Sequence, residues 1–289
     1  MKTPQLPDKP DIHIHIVVPN EFSPIGKFNI GITAGIETTM VSNEFIQGCN
    51  NMDLILTTSE HSKEGFVNSI FDKMDSKSQQ KVGELKLEKP TDVLFEGADT
   101  NVYKETKEIS EKLNQKFSKI KEDFCFLFVG HWLSGNLGED RKDIGMMLKV
   151  FYTMFKNQKN PPALIMKTSS AGFSIIDRNA MIQKINMIKG DINANTLPEI
   201  YLLHGDLTDK EMNEMYNHPK VKAHISFTHG EGFGRPLLEF SLLNKPIIAS
   251  GWSGHLDFLV KDYVALCGGK INPIDRSAQV KGMLIESSQ

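Results

Sequence analysis

The stretch 228–259, THGEGFGRPLLEFSLLNKPIIASGWSGHLDFL, decides the predicted fold because it joins two apolar runs through a glycine-rich loop. It follows Ala223–Phe227, a short apolar run that predicts a buried strand. Three glycines come next at alternate positions: Gly230, Gly232 and Gly234. Pro236 then opens the apolar segment LLEFSLL, and proline suits the first turn of a helix, where its missing N–H would have no partner. The predicted strand, loop and helix N-terminus together present free backbone N–H groups to a polar or anionic ligand.

Two glutamates bracket this loop, Glu231 at its start and Glu239 about one turn into the helix. A carboxylate in the first turn complements the helix dipole, so Glu239 alone has a structural explanation. Glu231 lies among glycines with no periodic reason to be there, which favours a functional role. The loop is not a dinucleotide fingerprint, because Arg235 stands where the third glycine of G-x-G-x-x-G belongs, and no Walker-type loop occurs in the chain. The pattern predicts a site for a phosphorylated or hydroxyl-rich small molecule.

The segments EGFGRPLLE, NKPIIAS and GWSGHLDFL resemble the donor-sugar site of retaining GT-B glycosyltransferases, especially glycosyltransferase family 4. Members of that family carry two glutamates separated by seven residues, here Glu231 and Glu239. The resemblance implies that Glu231 is the catalytic residue and contacts hydroxyls of the donor sugar. It also implies that Gly232, Phe233 and Gly234 bind the donor beside it, the last two through backbone N–H groups. Glu239 would hydrogen-bond the ribose of the nucleotide.

Predicted strands and helices alternate along the chain, which indicates parallel, doubly wound sheets. The predicted strands cover residues 11–18, 29–39, 53–57, 93–95, 124–129, 163–168, 200–204, 223–227, 247–250 and 263–266. The predicted helices cover residues 40–49, 60–71, 106–121, 143–155, 175–188 and 209–216, and another begins near Trp252 and Asp257. The polar, lysine-rich segment 73–89 is predicted to be a loop. Ligands of such sheets bind beyond the carboxyl ends of the strands.

The resemblance implies an α/β, GT-B-like fold with two Rossmann-type domains, each a doubly wound parallel sheet. Residues 1–105 would form the acceptor-side amino-terminal domain, which lacks the family's first glycine-loop β-α-β unit and is incomplete. Residues 106–122 would form a linker helix, and residues 123–289 the nucleotide-sugar-binding domain.

Cations near two predicted strand ends could stabilise a departing diphosphate, as a nucleotide-sugar transferase requires. Arg141 and Lys142 precede a helix at the position where the family places a phosphate-contacting cation, and Lys142 is the better match. Lys167, at the end of a strand, matches a position that can face the diphosphate, although a solvated surface charge explains it equally well. The base would lie against the turn GDLTD, where Leu207 would bind through its backbone. Because no D-x-D motif sits at a strand end, no metal or other cofactor is predicted.

Composition bounds the remaining function classes. The chain has 289 residues, 39% hydrophobic and 24% charged, with a net charge of −3, which argues against a general nucleic-acid binder. Its three cysteines are too scattered for a disulfide framework or a zinc site and favour a reducing compartment, the cytoplasm. No apolar run reaches transmembrane length, and the first residues lack the apolar core of a signal peptide. Peripheral membrane contact stays open.

The function that the resemblance implies is hexosyltransferase-type glycosyl transfer from a nucleotide diphosphate sugar to an acceptor hydroxyl, with retention and without metal. The acceptor could be a glycan, a lipid or a protein. The alternative is a non-catalytic or partial sugar-nucleotide-binding module that needs a partner chain. A GT-B epimerase or phosphorylase fits EGFGRPLLE less well.

Overall fold

The computed structural model describes residues 8–170 and 172–279, which form two parallel sheets and one small hairpin. The amino-terminal elements are β1 (Ile12–Ile16), β2 (Phe28–Thr33), α1 (Asn43–Asn50), β3 (Leu54–Thr57), α2 (Glu60–Asn68), β4 (Phe71–Met74), β5 (Lys81–Leu85), β6 (Thr91–Val93) and α3 (Glu111–Phe117). The carboxyl-terminal elements are β7 (Cys125–His131), α4 (Ile144–Phe155), β8 (Ala163–Ser169), α5 (Ile175–Gly190), β9 (Ile200–Leu202), α6 (Asp209–Asn217), β10 (Val221–Ser226), α7 (Arg235–Ser241), β11 (Ile247–Ser250) and β12 (Ala265–Cys267).

The strand order confirms the doubly wound α/β architecture. The four-stranded sheet has the order β1-β2-β3-β6, and the six-stranded sheet has the order β12-β11-β10-β7-β8-β9. All neighbouring strands in these two sheets run parallel. In the larger sheet the chain moves outward from β7 in one direction and from β10 in the other. The crevice between the ends of β7 and β10 is therefore a topological switch point, where ligands of open α/β sheets bind.

The two sheets are covered differently. Leu127 and Phe128, adjacent on β7, are both fully buried but belong to separate apolar clusters, because successive side chains of a strand point to opposite faces. The six-stranded sheet is therefore packed on both faces. The four-stranded sheet contributes Ile55 to a single cluster, which it shares with Phe45 of α1 and Phe66 of α2.

Two helices begin with side-chain capping interactions. The backbone N–H of Ser62 donates to the Ser59 hydroxyl at 3.1 Å, which caps α2. Thr208 and Glu211 form a capping box at the start of α6.

The prediction of a loop over residues 73–89 was wrong in part. Phe71–Met74 and Lys81–Leu85 pair as an antiparallel hairpin. The Lys81 ammonium lies 2.7 Å from the carboxylate of Asp72 on the opposite strand and 3.0 Å from that of Glu84 on its own strand. Most side chains of these two strands are exposed, so they carry none of the alternation of apolar residues by which a half-buried strand is recognised.

The predicted linker helix is also shorter than expected, since only Glu111–Phe117 is helical. The backbone N–H groups of Thr106 and Ser110 donate instead to the side chains of Asn217 and Glu214 at 2.9 and 3.1 Å. Side chains of α6 thus accept from backbone groups ahead of α3. The Ser110 N–H is the donor that a helix beginning at residue 106 would direct to the Thr106 carbonyl. The helix expected near Trp252 and Asp257 is a single 3₁₀ turn, Gly254–Asp257.

The amino-terminal loop 34–37 lies directly against the glycine loop, residues 230–234. A Cβ atom on Gly230 would lie 2.2 Å from the carbonyl oxygen of Glu37, and one on Gly232 would lie 2.6 Å from that of Ala34. The Ser62 hydroxyl donates to the carbonyl of Gly232 at 3.2 Å, and the Ser59 hydroxyl donates to the same oxygen. These glycines are therefore required by the approach of two backbones.

We expect Gly230→Ala to lower the free energy of unfolding by about 1–3 kcal/mol, because the added methyl overpacks this contact. Gly268→Ala is the matched control, since no atom lies within 4 Å of the Cβ position there. Urea unfolding of both variants measures the difference. Equal unfolding free energies would mean that the 34–37 loop does not press on Gly230 in solution.

Candidate functional site

The predicted strand, glycine loop and helix are present at the carboxyl edge of the six-stranded sheet. Val221–Ser226 forms the strand, and Arg235–Ser241 forms a short helix with proline in its first turn. Gly234 precedes the helix with φ +96°, a conformation that side-chain-bearing residues rarely adopt. The glycine is thus needed to turn the chain from the loop into α7.

A buried ion pair joins the loops that follow β7 and β10. The ammonium group of Lys142 donates to a carboxylate oxygen of Glu231, and both side chains are about one-tenth exposed. Burial lowers the pKa of Lys142, while the charge of Glu231 acts in the opposite direction. The backbone N–H of Glu231 donates to the Ser253 hydroxyl at 2.8 Å, and that of Gly254 donates to the Glu231 carbonyl at 2.9 Å. The sequence-predicted catalytic glutamate and phosphate-contacting lysine therefore meet at the topological switch point.

Glu239 lies at a separate, more enclosed position on α7. The hydroxyl of Tyr216 donates to its Oε2 at 3.0 Å, and Arg235 Nη2 donates to its Oε1 at 3.2 Å. Burial raises the pKa of Glu239, and the two donors oppose that rise. Glu239 lines a cavity of about 330 Å³ that lies between residues 96–103, which follow β6, and the helices α6 and α7. The walls of this cavity are Glu96, Gly97, Ala98, Asp99, Tyr103, Asp209, Arg235 and Glu239.

Arg141 connects the site to the amino-terminal residues, because its guanidinium donates to the carboxylate of Glu37. The 34–37 loop therefore contributes a charge as well as a backbone surface to the site. Further along the same contact, the rings of Phe95 and Phe233 lie 4.9 Å apart between centroids. His61 and Trp252 are separated by the same distance.

Lys167 and Leu207 lie apart from the buried pair. Among the described residues, no hydrogen bond or ion pair joins either of them to Lys142 or Glu231. The Lys167 ammonium lies 5.2 Å from the centroid of the Phe173 ring, and partial burial lowers its pKa. Leu207 packs partly against an apolar core cluster.

The polar residues around Asp177, near Lys167, were missed by sequence reasoning. His204 lies 2.7 Å from the Asp177 carboxylate, which also accepts from the Ser170 backbone N–H and hydroxyl. Burial raises the pKa of Asp177, but these hydrogen bonds outweigh it and leave the pKa below its usual value. His204 reaches the first turn of α5 from the loop after β9, 27 residues away from Asp177, and no local pattern predicts this contact.

Local sequence patterns also did not predict three other contacts of the site. These are the bonds of Glu37 to Arg141, of Ser62 to Gly232 and of Tyr216 to Glu239. The close spacing of glycines at 230 and 232 was the available signal, since glycine also marks positions where another backbone approaches. Ser59 caps α2 and also donates to the glycine loop, and an N-cap position alone does not indicate this second hydrogen bond.

In residues 8–170 and 172–279, no group of three or more His, Cys, Asp or Glu side chains is arranged to hold a metal ion. No helix in those ranges has the length and apolar character needed to cross a membrane.

No protein-family model and no curated protein matches the chain, whereas many solved structures resemble it. Anabaena HepE in complex with UDP and glucose matches with a TM-score of 0.55 and 15% identity, over 83% of this chain and 58% of HepE. The E. coli trehalose-6-phosphate protein bound with UDP-2-fluoro glucose matches with a TM-score of 0.55 and 12% identity, over 82% of this chain and 56% of that chain. The N-terminal domain of Candida albicans trehalose-6-phosphate phosphatase matches with a TM-score of 0.52 and 17% identity, over 83% and 54%.

At these identities the likeness concerns the fold and not the chemistry. The chain spans a little more than half the length of the structures it matches. It therefore has a GT-B-like α/β fold, with an amino-terminal sheet that is incomplete beside those structures.

Proposed function

We propose that the chain binds a nucleotide diphosphate sugar at the switch point of the six-stranded sheet and transfers the sugar to an acceptor hydroxyl. The observation that carries this proposal is the buried Lys142–Glu231 pair, because its Glu231 lies on the same strand-loop-helix unit as Glu239 and its cavity. The fold supports it as well, since HepE is described with UDP and glucose. Retention of anomeric configuration and metal-free, family 4-type chemistry remain part of the proposal.

In this proposal Lys142 contacts the diphosphate and Glu231 contacts hydroxyls of the donor sugar. The ion pair supports both roles, because a buried lysine without a partner would be costly and tend to lose its proton. When a diphosphate takes the ammonium, the Glu231 carboxylate becomes free to accept from sugar hydroxyls. A fixed cation in a water-poor site also stabilises the negative charge that develops on the leaving group.

Arg141 would be a second phosphate contact, in exchange for its present partner Glu37. Because the 34–37 loop covers the glycine loop, donor binding to Gly232, Phe233 and Gly234 requires the two to separate. In this structure the Glu37 carboxylate pairs with Arg141, the cation that the diphosphate would bind in its place.

The cavity beside Glu239 suits the nucleoside end of the donor. Four of its lining side chains are carboxylates, those of Glu96, Asp99, Asp209 and Glu239. Such a wall repels phosphate and attracts hydroxyl and N–H donors, which ribose and a base provide. Lys167 and Leu207 stay proposed contacts to the diphosphate and the base.

A larger cavity of about 710 Å³ lies between Phe124, Phe126 and Phe155, at the amino ends of β7 and β8. We prefer the smaller cavity, because ligands of open α/β sheets bind beyond the carboxyl ends of the strands.

The second candidate function is a non-catalytic or partial sugar-nucleotide-binding module that needs a partner chain. The occurrence of the fold in the N-terminal domain of a phosphatase favours it. Release of a traceable sugar from its nucleotide diphosphate, measured beside binding by calorimetry, separates the two candidates. Binding without release or transfer would favour the module.

Cytoplasmic location also remains a proposal. Cys49, Cys125 and Cys267 are free thiols, as a reducing compartment would leave them.

Glu239→Gln and Glu231→Gln should separate the ribose and sugar roles. Glu239→Gln should weaken binding of the nucleoside diphosphate and of its sugar conjugate alike, by about 1–3 kcal/mol, as expected for an impaired charged hydrogen bond. Glu231→Gln should weaken binding of the sugar conjugate more than binding of the nucleoside diphosphate. Loss of the charge beside Lys142 affects both ligands, whereas the proposed sugar partners of Glu231 are present only in the conjugate. Isothermal titration with both ligands measures this, with exposed Glu44→Gln as the control. An equal loss for both ligands in Glu231→Gln would reject the sugar role.

Lys142→Met should reduce the affinity for a nucleoside diphosphate more than the affinity for the nucleoside, because methionine keeps the buried volume but removes the charge. The preference of the wild type for the diphosphate should shrink as salt rises, and the variant should show less of that dependence. Lys149→Met, on an exposed position of α4, is the matched control. If Lys142→Met lost affinity for both ligands equally, its effect would be one of folding.

A further inference from the structure

One face of the four-stranded sheet is apolar and open. We call it the isoleucine face, and its members are Ile12, Ile14, Ile16, Phe28, Ile30, Ile32, Leu54 and Leu56. The parallel register pairs Ile14 with Ile30 and Ile30 with Leu54, so these side chains stand side by side. Ile12, Ile14 and Ile16 are 61%, 54% and 71% exposed. None of the eight side chains belongs to an apolar core cluster of the described residues.

This exposure is unusual for a parallel sheet. Such sheets are nearly always covered on both faces, as the six-stranded sheet of this chain is. The four-stranded sheet has its cluster only on the face that α1 and α2 cover. A contiguous apolar patch of this kind marks an interaction surface on a soluble protein.

We propose that the isoleucine face is the contact surface between two copies of this chain. The exposed surface of its side chains is on the order of 600 Å² per copy. A dimer that covered the face completely would therefore bury about 1,200 Å², the lower end of the range for specific interfaces. Five of the eight side chains are β-branched isoleucines, which interdigitate well when two pleated faces pack about 10 Å apart.

The charge distribution fits a two-fold axis through this face. In a symmetric dimer the same patch meets itself, so a net charge at its centre would repel its own copy. None of the eight side chains is charged. At the rim Asp11 pairs with Lys27 at 2.7 Å, and Asp92, the neighbour of Leu56 on β6, pairs with Lys63 at 3.2 Å. The face therefore needs no partner of complementary charge.

The experiment is sedimentation velocity of the full chain from about 1 to 100 µM. We expect a dimer for the wild type. Ile14→Lys should weaken dimerisation by at least about 100-fold, because the two-fold axis buries two new charges. Ile176→Lys, on an 82% exposed position of α5, should leave the dimer unchanged. Circular dichroism verifies that both variants are folded, which the exposure of Ile14 in a single copy permits.

Three outcomes would overturn the proposal. One is a dimer that survives Ile14→Lys, which would place the interface elsewhere. Another is a monomeric wild type with Ile14→Lys less stable, which would mean that the same chain covers the face from within. The third is a monomeric wild type with unchanged stability of Ile14→Lys, which would leave the face to a different polypeptide.

Discussion

The pairing of Lys142 with Glu231 fixes the geometry on which the rest of the site depends. Either charge left alone in this buried position would be strongly destabilising, so the two loops that carry them hold one relative position. Ser253 and Gly254 extend the constraint to the loop after β11 through their bonds to Glu231. The ends of β7, β10 and β11 are thereby joined at the switch point. Glu239 lies further along α7, with its own partners Tyr216 and Arg235.

The sequence predicted those parts of this arrangement that arise from local signals. Residues 223–241 were recognised as strand, loop and helix because a buried apolar run, alternating glycines and a proline occur together. The fold class followed from the alternation of strands and helices, and the matching structures bear it out. The roles of the individual site residues stay predictions, since geometry brings Lys142 and Glu231 together but does not identify a ligand.

What could not be predicted depends on contacts between distant parts of the chain. Nothing near Ser59 indicates that its hydroxyl donates to Gly232, because that partner is 173 residues away. Ahead of α3, Asn217 and Glu214 accept from the backbone N–H groups of Thr106 and Ser110, and no pattern within residues 106–121 indicates these partners. The hairpin of β4 and β5 escaped recognition because its side chains face solvent, where apolar periodicity has no reason to exist.

If the chain binds a donor as proposed, the contact between the 34–37 loop and the glycine loop makes donor affinity depend on the fraction of molecules in which the two loops are apart. If only molecules with the loops apart accept a donor, the apparent dissociation constant is the intrinsic one divided by the fraction of such molecules. Residues that never touch the donor, such as Ser62, would then tune affinity by changing that fraction. A loss of closing contacts would strengthen binding, so tight binding and a stable closed form would compete within the same few hydrogen bonds.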